Sequence, residues 1–375
     1  MGIGNKQTGI GHKRIGMVAA MGLLLAFGLA VSVQMNLSGK NRVSEENAIT
    51  PGAETSAPVR GFSNMCPYEG KVYCGVNGTY GELIPQESSI FTIWEDKLYY
   101  VEKVQEAYDS MTDERLSLKR SNLEGSQEEV LAEDVFLAGA GHEKLIGDKL
   151  FYGYEYDENF RMRYACVDVN TKERTELATN RIDTILGYDG TYLYYSGADL
   201  EKEENVLGRI HVTAGKDETI HSYASVDEDG YIDSVSYVDG KLYCFTLMEK
   251  SDSYDYWTYK YQLLVRNAVN GKVEQEVPVT FIGSANYSFL VQEGEIFATL
   301  DGEIVAISLA DGTMRTVVQM KPEEYWGILH FIPGDGYLYY EAIAEEYNEN
   351  GNNDYFYRVP IEGGEAELLK EWFMI

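Results

Sequence analysis

Four cysteines in 375 residues, Cys66, Cys74, Cys166 and Cys244, are too few to frame the chain with disulfides, so a hydrophobic core must stabilise it. Cys66 and Cys74 flank an expected turn and either bridge or stay as thiols; Cys166 and Cys244 read as buried thiols. Proline is scarce too, at 8 residues, and no soluble stretch keeps the apolar period of an amphipathic helix. A helical bundle is thereby excluded. Basic residues are the third shortage: 31 Lys and Arg stand against 61 Asp and Glu, a net charge of −30, with the one basic cluster at the extreme N-terminus. A surface of that sign repels a nucleic-acid backbone. The five histidines, His12, His142, His211, His221 and His330, are not paired at metal spacing, and neither H-E-x-x-H nor C-x-x-C occurs. No metal site, cofactor site or serine nucleophile elbow is expected, and no catalytic residue is assigned.

Glycine and tyrosine are abundant, at 37 and 30 residues, and aromatics reach 13%. Aromatics fit pleated, packed surfaces and glycine supplies turns, so the composition points to an all-β protein. The one long apolar run, Ile15 to Val33, carries no charge and follows Lys6, Lys13 and Arg14. As a helix it reaches roughly 28 Å, close to the thickness of a bilayer's hydrocarbon. The expected organisation is a basic cytoplasmic tail over 1–14, a transmembrane signal anchor over 15–34, a polar stalk over 35–60 and a folded domain over 61–375. Positive charge upstream keeps the tail inside and sends the rest of the chain out of the cytoplasm. The alternative is secretion after cleavage near Ala30 and Ser32.

Within 61–375 a short pattern recurs seven times: an acidic turn, an aliphatic residue, an aromatic and a third residue. The aliphatic members are Val72, Leu98, Leu150, Leu193, Leu242, Ile296 and Leu338, each followed by an aromatic. Turn dipeptides such as Asp189-Gly190, Asp239-Gly240 and Glu293-Gly294 precede them, as tight hairpins demand. Apart from the short first copy, the motifs stand 42 to 54 residues apart, a period of strand-only repeats that indicates a propeller. Each full repeat reads as lead-in strand, turn, motif strand, second strand, turn and outer strand, the content of one four-stranded blade. Stretches such as "LYY" are apolar on both faces because a blade is covered by neighbours on both sides. We expect a β-propeller of about seven four-stranded blades, or six, with the short copy at Glu69 either a trimmed blade or a donor of closing strands.

The turn, the "LYY" strand and the following "YRVPIEGG" pattern resemble the low-density-lipoprotein-receptor type of β-propeller, and more closely the membrane-anchored bacterial propeller proteins that share its repeat. The likeness spans about Gly61 to Ile375. It implies architecture and no chemistry, and Tyr99-Tyr100-Val101-Glu102 departs from the receptor's Tyr-Trp-Thr-Asp strand.

Three segments invite a functional reading. "LAGAGHEK" from Leu137 lacks the third glycine and following helix of a phosphate loop and reads as an inter-blade connection. "DEDGYID" at Asp227 and "NENGNND" at Asn348 gather oxygen ligands, yet their twelfth positions are Ser236 and Tyr357 rather than Glu, so both read as hairpin tips. "SDSYDYWTYKYQ", Ser251 to Gln262, crowds Tyr254, Tyr256, Trp257, Tyr259 and Tyr261 into an insertion expected to overhang its blade. Exposed aromatics of that density suit ligand binding. Packing on a neighbouring blade is the plain alternative. The expected function is a non-catalytic binding, sensory or assembly module in the cell membrane, with an envelope protein or a cell-wall glycan as its partner. The competing class is an extracytoplasmic glycan hydrolase or lyase with carboxylates at the channel mouth.

Overall fold

A computed structural model describes residues 59–61, 65–69, 71–74, 91–105, 115–136, 143–225, 228–249, 259–283, 289–300, 302–319, 325–344 and 354–371. The expected anchor and most of the stalk lie outside them. Among the described residues all regular structure is β, and no helix is long and apolar enough to cross a membrane. The strands form a β-propeller of six four-stranded antiparallel blades, the lower of the two expected counts, with a two-stranded hairpin as a seventh unit. We number the blades I (91–135), II (144–176), III (182–223), IV (232–283), V (289–318) and VI (325–371).

The motif strand shows why alternation fails. In blade II, Leu150 and Tyr152 pack into the core shared with blade I, while Phe151 packs with Leu193 and Tyr195 of blade III. Blade III repeats this, with Leu193 and Tyr195 toward blade II and Tyr194 toward Leu242 and Cys244 of blade IV. Leu242, Ile296 and Leu338 continue the series. Positions one and three thus face the preceding unit and position two faces the next. Burying each such side chain is worth roughly 1.5–3 kcal/mol, so the seams between blades are the protein's core. The tyrosines at position three keep their hydroxyls satisfied at the outer edge: Tyr100 donates to Glu128 (2.5 Å), Tyr195 donates to Asp217 (2.6 Å), and Tyr152 accepts from Arg174 (3.1 Å).

Three short N-terminal strands close the ring: β1 (Val59–Gly61), β2 (Met65–Tyr68) and β3 (Lys71–Cys74). The β2–β3 hairpin is the short first copy of the repeat. Cys66 and Tyr73 pack against Leu98 and Tyr100 of blade I, and Pro67 lies so close to Gly334 of blade VI that a Cβ there would meet it at 2.8 Å. The Tyr68 hydroxyl donates to Asp96 Oδ1 (2.8 Å) and accepts from the Asp96 amide (3.1 Å), which fixes the hairpin to a turn of blade I. The trimmed blade therefore supplies two strands where two neighbours would otherwise stand apart. β1 adds a fifth strand to blade II, antiparallel to Lys144–Ile146 at its inner edge, and also touches the inner strands of blades I and III.

Strand direction gives the ring two unlike ends. Turns between strands one and two and between strands three and four leave one end; the tips between strands two and three and the crossings to the next blade leave the other. At the turn end the same device recurs. The amide just past strand three, in Val169, Val212, Ala268, Leu309 and Ile361, donates to a carbonyl of the first turn, Asp148, Thr191, Gly240, Gly294 and Gly336, at 2.9 to 3.1 Å. The carbonyl of that same residue then receives a donor from the preceding blade in three cases: Arg120 to Val169 (2.8 Å), Gln275 to Leu309 (2.5 Å) and Arg315 to Ile361 (3.0 Å). Gly240 and Gly294 follow Asp239 and Glu293 in turns with φ positive at both positions, and nothing lies within 4 Å of either missing Cβ. Backbone freedom, not crowding, calls for glycine there.

Candidate functional site

The loop end carries the connections that differ between blades. Segments 106–114, 137–142, 250–258, 284–288, 320–324 and 345–353 all join strand ends located there. The aromatic insertion belongs to this end, as the tip of blade IV. Tyr254, Tyr256 and Trp257 lie outside the described residues. Tyr259 begins the third strand of blade IV opposite Gly283, and Tyr261 follows within it, 1% exposed among Phe245, Leu263 and Val277. Tyr261 is a core residue, because the strand starts earlier than the overhang read from sequence and its inward parity takes that ring.

The calcium-like loop at Asp227 also lies at this end. Its described part is an ordinary turn, in which the Tyr231 amide donates to the Glu228 carbonyl (3.0 Å) and the Gly230 amide to Leu247 (2.7 Å). Among the described residues no three His, Cys, Asp or Glu gather as metal ligands. The second loop, at Asn348, falls outside them apart from Asp354. His211 caps a turn-end loop by accepting from the Ala214 amide (3.2 Å), and burial beside Arg266 lowers the pKa of His221. Burial pushes the thiols of Cys166 and Cys244 up to about 11 and about 12, which makes them inert packing residues.

Near the axis, sequence reasoning missed a charged pair. Glu143 and Lys144 open the inner strand of blade II where it receives β1, and both are buried, at 0% and 2% exposure. Neither Glu143 oxygen has a hydrogen-bond partner of good geometry. Desolvation, opposed by its own backbone amide and by Lys144, pushes the Glu143 carboxyl up to about 7, and the same burial lowers Lys144 to about 8. Arg60 of β1 is also lowered by burial. An acid with a pKa near neutrality beside an inner strand is a candidate for proton exchange. Its sequence neighbourhood was read only as a glycine-bearing connection. The available signal was an adjacent Glu-Lys pair just before an inner strand.

Farther out, the tip of blade II is a built turn. Asp157 accepts from the amides of Asn159 (2.8 Å) and Arg161 (2.9 Å) and from the Asn180 side chain (2.8 Å). These donors pull the Asp157 carboxyl below its usual range. Arg161 pairs with Asp183 of blade III at 2.5 Å, and the Phe136 ring meets Tyr156 edge-on at 4.8 Å. Phe160 stands at the apex, 84% exposed, with φ +58. The tip of blade III displays Leu200, 53% exposed, beside Asp199, which holds Lys202 (3.1 Å) and Arg181 (3.8 Å). The sequence alone singles out nothing in "YDENFR"; the available signal is an aromatic where a turn takes glycine or asparagine.

No family model matches the chain, and no curated protein matches it by sequence. Solved structures do. A prolyl endopeptidase from a study of two such enzymes aligns with 76% of this chain at 12% identity and a TM-score of 0.52. This chain spans only 43% of that enzyme's length, so the likeness is one of fold. The β-propeller domain of the trilobed protease of Pyrococcus furiosus matches 77% of this chain and 99% of its own at 11% identity, with a TM-score of 0.43. A chain of the nidogen/laminin complex matches 70% of this chain and 93% of its own at 13% identity and a TM-score of 0.36. The chain is similar to β-propeller proteins.

Proposed function

We propose that this protein is a membrane-anchored, extracytoplasmic β-propeller acting as a non-catalytic binding, sensory or assembly module, with an envelope protein or a cell-wall glycan recognised at the loop end. The observation that carries the reading is the division of the ring: one end repeats a single satisfied turn, while every connection of irregular length leaves the other. Recognition is disproportionately placed on variable loops held by a rigid scaffold. The path of β1 supports the proposed orientation. Val59 pairs with Ile146 near a turn, so the chain enters β1 at the turn end and leaves it with Gly61 at the loop end. A tether over 15–34 and a stalk ahead of Val59 then reach the turn end, leaving the loop end turned away from the bilayer. Membrane fractionation of the full-length chain, with protease protection from the cytoplasmic side, tests the anchor. Glycan and peptidoglycan pull-downs test the ligand class, and unchanged retention after Trp257→Ala with Tyr256→Ala would remove the aromatic insertion from the binding surface.

One observation favours a second reading, an extracytoplasmic glycan hydrolase or lyase: the buried Glu143, whose raised pKa suits a general acid. Glycan turnover by the wild type that Glu143→Gln abolishes, with retention of glycan unchanged, would establish the enzyme.

A further inference from the structure

Phe160 is the largest apolar side chain left almost bare among the described residues, and its setting sets it apart from the singly exposed Val273 or Met314 on outer strands. Those residues ride on regular blade edges. Phe160 is held out on a turn closed at both ends, with the Asp157 amide donating to the Arg161 carbonyl (2.8 Å) and the Phe160 amide to the Asp157 carbonyl (3.0 Å). A left-handed φ costs a bulky residue roughly 1–2 kcal/mol. The turn keeps phenylalanine there although glycine would remove the cost. Ion pairs and hydrogen bonds then weld this tip to the next. Asn180 and Asp183 receive blade II's tip, and Arg181 between them reaches Asp199 at the base of blade III's tip, so Phe160 and Leu200 project from one rigid surface.

The charge around the two side chains is one-sided. Each cation near the tips is already paired: Arg161 with Asp183, Arg163 with Glu155 (2.8 Å), and Lys202 with Asp199. Glu158, Glu201 and Glu203 are exposed carboxylates with no ion pair among the described residues. We infer that the tips of blades II and III form a protein-docking surface in which Phe160 is the anchor, and that the partner is a polypeptide presenting an apolar pocket rimmed by Lys or Arg. Preorganisation removes the ordering cost of such an anchor, and the surplus carboxylates steer and orient a basic rim. This inference rests on the binding-module reading and narrows its partner to a protein.

The test places the photo-crosslinker p-benzoyl-phenylalanine at position 160 of the full-length chain in its own cells, with positions 248 and 314 as comparisons. A discrete adduct is expected from 160 and not from 314, in which mass spectrometry finds a protein segment carrying apolar and basic residues. Its yield should fall at raised salt, and Glu158→Lys with Glu203→Lys should reduce it about ten-fold or more. Phe160→Ser should abolish co-purification of that protein at an unchanged circular-dichroism spectrum. Lipid or glycan adducts, adducts to a second copy of this chain, or equal labelling from 314 would overturn the inference. An adduct from 248 without one from 160 would overturn the anchor while leaving the binding module standing; silence from both would count against both.

Discussion

The turn end and the loop end are made by the same strands under opposite rules. At the turn end, amides past strand three, first-turn carbonyls and bridging Arg or Gln donors satisfy one another in blade after blade. At the loop end, a buried carboxylate lacks a partner and a phenylalanine is held bare in a left-handed turn. The difference teaches where stability has been yielded. Both of these costly groups sit where the connections vary.

The contrast is sharpest for Glu143. Its folded pKa, about 7, lies above the ordinary 4.5, so its contribution to stability is complete below pH 4.5 and is lost as pH rises through 7. Glu143→Gln should therefore match wild type near pH 4.5 and exceed it at pH 8 by about 3 kcal/mol, read as a rise in unfolding midpoint. Lys144, lowered to about 8, loses its contribution as pH falls from 10.5 through 8, so both buried charges cost stability near neutrality. Equal midpoints for Glu143→Gln and wild type at pH 8 would mean that the carboxylate finds a partner in solution.

The turn end should respond with the other sign. Asp168 accepts from the Asn170 and Thr171 amides and pairs with Lys149 at 2.6 Å, which brings its carboxyl down to about 2 despite its burial. Asp168→Ala should lose about 2 kcal/mol at pH 7, and the wild type should surrender the same amount as pH falls from 3.8 through 2. Arg315→Ala, which removes the bond to Ile361 and the pair with Glu295 (2.8 Å), should lose about 1 kcal/mol and leave partner binding unchanged. Phe160→Gly should gain up to about 1 kcal/mol by relieving the turn while abolishing capture of the partner, a separation that calorimetry and co-purification read independently. Leu200→Ser should shift stability by less than about 0.5 kcal/mol.

The blades were legible because their cause is local. Leu193-Tyr194-Tyr195 breaks alternation in the sequence itself, and Asp239-Gly240 or Glu293-Gly294 announces a left-handed turn whatever surrounds it. The short copy at Glu69 showed its lack of two strands before any ring was seen. What stayed hidden depends on contacts far apart in the chain. Glu143 lies just before a strand along which Val59–Gly61, some eighty residues earlier, is laid. Phe160 matters because Asn180 and Asp183 clamp its turn from the next blade. Tyr261 reads as exposed from composition and is buried by strand parity, which no count of aromatics reveals.

Urea unfolding at pH 8, with Glu143→Gln and Asp168→Ala measured beside the wild type, tests the contrast most directly. The midpoints should be displaced in opposite directions, upward for the first and downward for the second. Two downward displacements would show that Glu143 stabilises its end as Asp168 does, and that the ends differ in shape alone.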